Sequence, residues 1–172
     1  IIHLAAVVPP HCYLNPQLAA EVNLEGTRNL IKASQFLPSL ERFVYTSSYA
    51  VYGARNPQRA VQLLTPDTQM LPGDNYARHK AANEAALQAS TLPWVVLRLG
   101  AVFGLYAQQS SASLLKYMLL MPPERRQHAI DARDAALAIV NALEADVVGK
   151  IWLVGGAATD WKRTAGEFFI TI

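Results

Sequence analysis

Residues 93–97 have the sequence Pro-Trp-Val-Val-Leu. This run is apolar throughout, whereas a strand that faces solvent on one side alternates apolar and polar residues. Comparable runs occur at residues 1–5, 42–47 and 150–154, and segments with helical patterning separate them. Strands that are apolar throughout are typical of parallel sheets covered on both faces, and the helices between them supply the crossovers. The sequence therefore predicts the α/β class, with a doubly wound parallel sheet that is Rossmann-like.

Capping residues mark where several of the intervening helices begin. Asn15-Pro16 offers a side-chain cap followed by a proline at the first helical position, and Asp74 or Asn75 precedes an alanine-rich segment. We expect Asp134 to cap the last helix. The predicted helices cover residues 16–36, 75–89, 110–121 and 135–144.

Composition bounds the class of protein. The chain has 172 residues, of which 52% are hydrophobic and 16% charged, so it is about the size of one domain with one sizeable core. Its formal net charge is +2 and the basic residues are scattered, which argues against a nucleic-acid partner. No apolar run approaches the roughly 20 residues that span a bilayer, so we expect no membrane partner.

Cysteine and histidine usage narrows the kinds of site. Cys12 is the only cysteine, so no internal disulfide can form, and we expect a cytoplasmic protein. The histidines lack metal-ligand spacing, and we expect no metal site. The chain has no initiator Met and is apolar at its first and last residues. We therefore expect a fragment that is incomplete at both ends, with no separate second domain.

Two side chains on the second predicted helix suggest acid/base chemistry. Tyr76 and Lys80 are four residues apart, which places them on the same face of that helix. An ammonium beside a phenol, whose pKa is ordinarily about 10, favours the phenolate and lowers that pKa. Such a phenol can exchange a proton with a substrate oxygen. The same spacing also occurs by chance on solvated helices.

Ser48 brings a third polar group to the same region. It follows the predicted strand 42–47 and precedes Tyr76 by 28 residues, so both residues lie on the rim where the carboxyl ends of the strands meet. Its hydroxyl can donate a hydrogen bond to the oxygen that Tyr76 protonates. The alternative is a serine-rich turn that satisfies its own backbone.

Six motifs in order along the chain extend this pattern. They are Ile1-Ile2-His3-Leu4-Ala5-Ala6, Asn23-Leu24-Glu25-Gly26-Thr27, Tyr45-Thr46-Ser47-Ser48 with Val51-Tyr52-Gly53, Tyr76-Ala77-Arg78-His79-Lys80, Leu97-Arg98-Leu99-Gly100-Ala101-Val102-Phe103-Gly104, and Ala132-Arg133-Asp134-Ala135-Ala136. Together they resemble the signatures of the extended short-chain dehydrogenase/reductases, the NAD-dependent epimerase/dehydratase group. The resemblance covers residues 1 to about 156 and implies a partial NAD(P)-binding Rossmann-like domain over residues 1–172 that carries the catalytic residues.

The resemblance implies a role for each matching residue. Tyr76 would be the general acid/base, Lys80 would hold the nicotinamide ribose and lower the pKa of Tyr76, Ser48 would orient the substrate oxygen, and Asn23 would support the site. The residues that would line the cofactor, besides Tyr76 and Lys80, are Ala5, Ala6, Thr46, Ser47, Leu99 and Gly100. The exposed alanine face of the helix, at residues 81, 82, 85, 86 and 89, would form a homodimer interface.

Departures from the family pattern limit what the resemblance implies. The Gly-x-x-Gly-x-x-Gly turn that holds the pyrophosphate is absent, so the choice between NAD and NADP is not readable. Tyr49 and Ala50 stand where sugar-nucleotide dehydratases carry Asp-Glu, which disfavours a dehydratase. Ala101 replaces an asparagine that touches nucleotide sugars in some relatives. Only about 30 residues separate Gly104 from Asp134, which indicates a substrate pocket that is small or is built mainly from residues C-terminal to this fragment.

The favoured interpretation is an NAD(P)-dependent oxidoreductase acting on a carbonyl/alcohol pair by Ser-Tyr-Lys chemistry, with a small-molecule carbonyl, alcohol or sugar as substrate. A nucleotide-sugar epimerase would use the same residues. A non-catalytic NAD(P)-binding regulator on the same fold is the third interpretation, although a regulator has no need of a tuned phenol.

Overall fold

The computed structural model describes residues 1–53, 63–104 and 128–155. Its strands are β1 (Ile2–His3), β2 (Phe43–Ser48), β3 (Trp94–Leu99), β4 (Ala101–Phe103), β5 (Ala129–Asp131) and β6 (Lys150–Val154). Its helices are α1 (His11–Leu14), α2 (Pro16–Ala20), α3 (Thr27–Ser34), α4 (Asn75–Gln88) and α5 (Ala132–Glu144). A π-helical segment, Glu21–Gly26, joins α2 to α3, and a 3-10 turn, Tyr49–Tyr52, follows β2.

The main sheet confirms the predicted class. Its four strands have the order β1-β2-β3-β6 and all pair in parallel, so their carboxyl ends meet at one edge. Apolar residues cover both faces. Phe43, Tyr45 and Val96 pack with Leu87 of α4, while Val44 packs on the opposite face in a cluster that includes Ala142 of α5. This alternation along β2 is what places one helix layer on each side of the sheet.

Several predicted boundaries are confirmed to within a few residues, and one cap is wrong. Asp131, not Asp134, caps the last helix: its side chain accepts a hydrogen bond from the backbone N–H of Arg133 at 2.8 Å, and α5 begins at Ala132. The segment Asp131–Asp134 offers two acidic candidates, and Asp131 takes the cap because β5 ends there with extended backbone. The predicted helix over 110–121 lies outside the described residues.

A second, two-stranded parallel sheet was not predicted. It pairs β4 with β5, matching Val102 to Ile130. Each strand has three residues, which is too short for a reliable periodicity. Gly100 makes the junction between the sheets possible, because a Cβ at this position would lie 2.6 Å from the carbonyl oxygen of His128. Among the described residues, no helix is both long and apolar enough to cross a bilayer.

Gly53 closes the loop that carries Ser48, and its replacement should destabilise the fold. It has φ +68°, and a Cβ there would lie 2.1 Å from the carbonyl oxygen of Leu71. We expect Gly53→Ala to lower the free energy of unfolding by about 1–3 kcal/mol or more, measured by denaturant titration. Gly73→Ala is the matched control, because a Cβ there has no atom within 4 Å. A change within about 1 kcal/mol is expected for that control, and equal losses in both variants would contradict the steric argument.

Candidate active site

The structure brings Ser48, Tyr76 and Lys80 together at the carboxyl edge of the sheet. Ser48 is the last residue of β2, and Tyr76 lies in the first turn of α4. The Ser48 hydroxyl accepts a hydrogen bond from the backbone N–H of Ala50 at 3.2 Å, and it lies close enough to the Tyr76 phenol to lower the pKa of that group. Asp74 sets the start of α4, since its carboxylate accepts from the N–H of Ala77 at 2.8 Å.

Lys80 lies one helical turn beyond Tyr76 and is 4% exposed. Its Nζ donates to the backbone carbonyl of Thr46 at 2.6 Å. The same Nζ lies 5.7 Å from the centroid of the Tyr76 ring and 4.8 Å from that of Tyr45. An ammonium has three N–H donors and Thr46 accepts one, so Lys80 keeps donors for a ligand hydroxyl.

Burial governs the protonation state of Tyr76 in this structure. Burial raises the pKa of Tyr76 to about 12, the nearby thiol of Cys12 adds to the rise, and the Ser48 hydroxyl offsets part of it. Desolvation therefore sets the direction of the shift in this chain, and the prediction that Lys80 lowers this pKa stays a prediction. Tyr76 keeps its proton at neutral pH and is in the form that acts as an acid.

The ammonium of Lys80 is itself perturbed. Burial lowers the pKa of Lys80 to about 8, and the carboxylate of Glu84 acts in the opposite direction. Burial lowers the pKa of His3, and the charge of Lys80 lowers it further; the His3 ring also shares a hydrogen bond of 2.8 Å with the hydroxyl of Thr27. A lysine with this pKa is almost fully charged below about pH 6, half charged at about pH 8 and almost uncharged above about pH 10.

Asn23 supports the site without reaching the catalytic cluster through its side chain. The Asn23 amide oxygen accepts from the N–H of Val7 at 2.7 Å, and the amide nitrogen donates to the Val7 carbonyl at 3.0 Å. Its backbone carbonyl, displaced within the π-helical segment, accepts from Nδ2 of Asn83 at 2.7 Å. Such π-helical turns are frequent at functional sites. Asn23 thus holds the segment after β1, and a catalytic role for it stays a prediction.

The residues expected to line a cofactor divide into two groups. Ala5 and Ala6 follow β1 and are exposed and half-buried, so a ligand can reach them. Thr46 is buried, its hydroxyl donates to the carbonyl of His3 at 3.2 Å, and its own carbonyl accepts from Lys80. These positions fit a rim built from backbone and small side chains.

The other three predicted cofactor residues face the protein. Ser47 is 3% exposed and donates its hydroxyl to Glu84, so its side chain points away from the rim. Leu99 packs against the apolar cluster on the α5 side of the sheet. Gly100 is buried, and the backbone of His128 occupies the space beside it. At these positions only the backbone could meet a ligand.

Several residues at the site gave no sequence signal of their own. Cys12 of α1 is completely buried near Tyr76. Burial raises the pKa of its thiol to about 11, so the thiol is uncharged at neutral pH. Asn83 also donates to the hydroxyl of Tyr45 at 3.0 Å. Glu84, also on α4, forms an ion pair with Arg98, with 2.7 Å between Oε2 of Glu84 and Nη2 of Arg98. Periodicity on α4 could have marked Asn83 and Glu84, because both fall on the face that carries Lys80.

The residues present fit one end of a dinucleotide. Lys80 offers donors suited to ribose hydroxyls, and Tyr76 with Ser48 presents two hydroxyls to a substrate oxygen. The pyrophosphate-binding glycine turn does not occur in the sequence. Among the residues that the structure describes, no cluster of His, Cys, Asp and Glu could hold a metal ion.

Comparison with curated proteins finds a relative of known activity. The chain is 32% identical over 84 residues to D-erythronate dehydrogenase of Haemophilus influenzae, a match that covers 49% of this chain and 25% of the relative. The matched segment therefore spans about a quarter of that relative's length.

Solved structures share the fold. A dTDP-glucose 4,6-dehydratase from Bacillus anthracis in complex with NAD aligns with a TM-score of 0.78 at 22% identity, covering 99% of this chain and 55% of that one. RMD from Pseudomonas aeruginosa complexed with NADPH aligns with a TM-score of 0.72 at 21% identity, covering 90% of this chain and 58% of that one. This chain thus corresponds to little more than half of either structure.

A family model also matches this chain. The model described as the NAD dependent epimerase/dehydratase family matches residues 1–155, which is most of the chain and includes every residue of the cluster around Tyr76. The chain therefore belongs to the NAD dependent epimerase/dehydratase family.

Proposed function

We propose that the protein is an NAD(P)-dependent oxidoreductase that interconverts a carbonyl and an alcohol, with Ser48, Tyr76 and Lys80 as its catalytic side chains. One observation carries the proposal: Ser48 lies close enough to the buried Tyr76 phenol to lower its pKa, and a buried ammonium lies 5.7 Å from the ring of that phenol. A surface Tyr/Lys pair would show neither the burial nor the neighbouring serine at a strand end.

The arrangement suits carbonyl reduction. A bound reduced nicotinamide would supply the hydride to the carbonyl carbon. Tyr76, protonated at neutral pH, would give its proton to the carbonyl oxygen, so that the C=O group becomes CH–OH. The Ser48 hydroxyl would donate a hydrogen bond to the carbonyl oxygen of the substrate and so orient the substrate. Lys80 would hold the ribose and stabilise negative charge on the phenol oxygen of Tyr76.

Two observations bear on the substrate. The curated relative, a D-erythronate dehydrogenase, is named for the oxidation of a hydroxy acid, which supports a dehydrogenase acting on small polar substrates. The family description equally includes epimerases, and the same side chains serve an epimerase that oxidises its substrate transiently. A nucleotide-sugar epimerase is therefore the second candidate. Ala101, which replaces an asparagine that touches nucleotide sugars in some relatives, favours the first.

The assay that separates these functions uses the full-length protein with NADH and NADPH. Its substrates are a panel of keto and hydroxy sugar acids together with nucleotide sugars. Net oxidation or reduction of the nicotinamide supports the oxidoreductase, and isomerisation without net change in the cofactor supports the epimerase. Cofactor binding without turnover of any substrate would indicate a regulator and contradict the proposal.

The pH dependence of turnover should follow the ionisation of the Lys80 ammonium. Because burial lowers its pKa to about 8, the ammonium that holds the ribose and stabilises the phenolate is lost as the pH rises through that value. We expect kcat/KM to be level below about pH 8 and to fall above it, by tenfold for each further pH unit. A profile that stays level to pH 10 would show that the charge of Lys80 is not needed.

We further propose that the protein acts as a cytoplasmic homodimer through α4. Ala82, Ala85 and Ala89 are exposed along this helix, and alanine allows two helices to pack closely. The lone buried Cys12 is consistent with a reducing compartment. Sedimentation of the full-length protein measures the oligomeric state, and a monomer at micromolar concentration would contradict the dimer.

A further inference from the structure

A buried ion pair lies behind the catalytic cluster. Arg98 of β3 is 2% exposed and Glu84 of α4 is completely buried. Nη2 of Arg98 donates to Oε2 of Glu84 at 2.7 Å, and Nε donates to both carboxylate oxygens, at 3.1 and 3.2 Å. The geometry is that of a two-point contact between a planar guanidinium and a carboxylate, which fixes orientation as well as distance.

The remaining donors of Arg98 bind the polypeptide on either side of the site. Nη1 donates to the hydroxyl of Tyr52 and to the carbonyl of Pro66, the latter at 2.9 Å. Nη2 also donates to Sδ of Met70 at 3.5 Å. The Tyr52 hydroxyl in turn donates to the carbonyl of Thr65 at 2.8 Å. The guanidinium thus joins the turn after Ser48 to the segment that leads into α4.

The carboxylate of Glu84 joins the same elements from the other side. It accepts the hydroxyl of Ser47, the residue next to Ser48, and it lies one helical turn beyond Lys80. The pair therefore contacts β2 beside Ser48, α4 beside Lys80, and the 65–70 segment that precedes Tyr76. Any change in its geometry must alter the spacing of those elements.

Stability alone does not account for this pair. Two charges lose their hydration when they are buried, and apolar residues of similar volume often give an equally stable or more stable protein. A two-point pair with a fixed length does, however, specify one arrangement of the elements that it joins. Catalysis depends on such spacing, since a displacement of about 1 Å can cost about a hundredfold in rate.

We propose that Glu84 and Arg98 are positioning residues for the reaction, and that they hold β2, α4 and the 65–70 segment at the spacing that places Ser48 against Tyr76 and Lys80. This inference rests on the proposed function for its kinetic consequences. Neither residue contacts the phenol oxygen of Tyr76, so both act through the residues that they hold.

Glu84 also affects the pKa of Lys80. The titratable groups facing Lys80 are His3 of β1, Tyr45 of β2, and Tyr76 and Glu84 of α4. Glu84 is the acid among them, and its negative charge raises the pKa of Lys80. Removal of that charge should move the pKa of Lys80 further below 8, whereas a change at Arg98 that keeps the carboxylate should not.

The test compares Glu84→Gln, Arg98→Lys and the double variant Glu84→Leu/Arg98→Met in the full-length protein. We expect kcat to fall by about tenfold or more in all three, while KM and the Kd for the cofactor stay within about threefold. The double variant should keep a wild-type Tm, because both charges leave together. Glu25→Gln, which breaks the exposed pair between Glu25 and Arg28, is the matched control and should leave kcat unchanged.

The pH titration of the Lys80 ammonium, followed by NMR with selectively labelled lysine, needs no turnover. We expect Glu84→Gln to lower this midpoint and Arg98→Lys to leave it near the wild-type value. An unshifted midpoint in folded Glu84→Gln overturns the inference even if the enzyme is active. Wild-type kcat in folded Arg98→Lys, or in the folded double variant, also overturns it. Absence of turnover in the wild type, with the midpoint shift present, refutes the proposed function and leaves the charge link between Glu84 and Lys80 supported.

Discussion

Tyr76→Phe is expected to lower kcat by about 10²–10⁴-fold, the range for loss of a general acid. The variant loses the hydroxyl that would donate the proton, while the aromatic ring beside Lys80 remains. Because Lys80 would hold the cofactor ribose, the affinity for NAD(P)H should stay within about twofold of wild type. Single-turnover reduction measures the chemical step, and cofactor titration measures the affinity.

The control for Tyr76→Phe is Tyr45→Phe, which removes another hydroxyl from the same buried region. The hydroxyl of Tyr45 accepts from Nδ2 of Asn83 at 3.0 Å, and Tyr45 is not among the residues proposed to transfer or orient the proton. Tyr45→Phe should lower the free energy of unfolding by about 1 kcal/mol, with a small effect on kcat. Equal losses of kcat in both variants, or an unchanged rate in Tyr76→Phe, would remove Tyr76 from the mechanism.

Lys80→Met is expected to lower kcat/KM by about 10²–10³-fold, through both the chemical step and cofactor binding. Methionine fills a similar volume but removes the donor to Thr46 and the positive charge beside Tyr76. Cofactor affinity should weaken by about tenfold, in contrast to Tyr76→Phe, because the contact to the ribose is lost. The fall in activity above pH 8 should disappear with the group that causes it.

Lys32→Met is the matched control for Lys80→Met. Lys32 is exposed on α3, so the same chemical change occurs without altering a buried charge. Turnover and cofactor affinity should stay at the wild-type level in this control. If kcat/KM of Lys80→Met still falls above about pH 8, another residue causes that fall and its assignment to Lys80 is wrong.

The placement of the catalytic elements could be predicted because their signals are local. Apolar runs predicted β2, β3 and β6, and a capping residue followed by an alanine-rich stretch predicted α4. The spacing of Tyr76 and Lys80 predicted a shared face, and the topology of a parallel sheet predicted that Ser48 would lie at the same edge. Each inference needs only neighbouring residues, or the rule that the carboxyl ends of parallel strands meet at one edge.

The choice between equivalent residues depended on the tertiary structure. Ser47 and Ser48 are adjacent and chemically the same, but the alternation along β2 turns Ser47 toward Glu84 and leaves Ser48 for Tyr76. Asp131 and Asp134 both suit a cap, and the strand that ends at Asp131 selects it. Short-range pattern does not separate such pairs, because the deciding contact comes from a distant part of the chain.

Local patterns along the chain were enough to predict the fold class, the shared edge of Ser48, Tyr76 and Lys80, and the family to which the chain belongs. The raised pKa of Tyr76, the lowered pKa of Lys80 and the buried pair of Glu84 and Arg98 appear only in the folded protein. They could not be predicted from local patterns because desolvation and the charges of other elements, both set by packing, control a pKa and a buried ion pair.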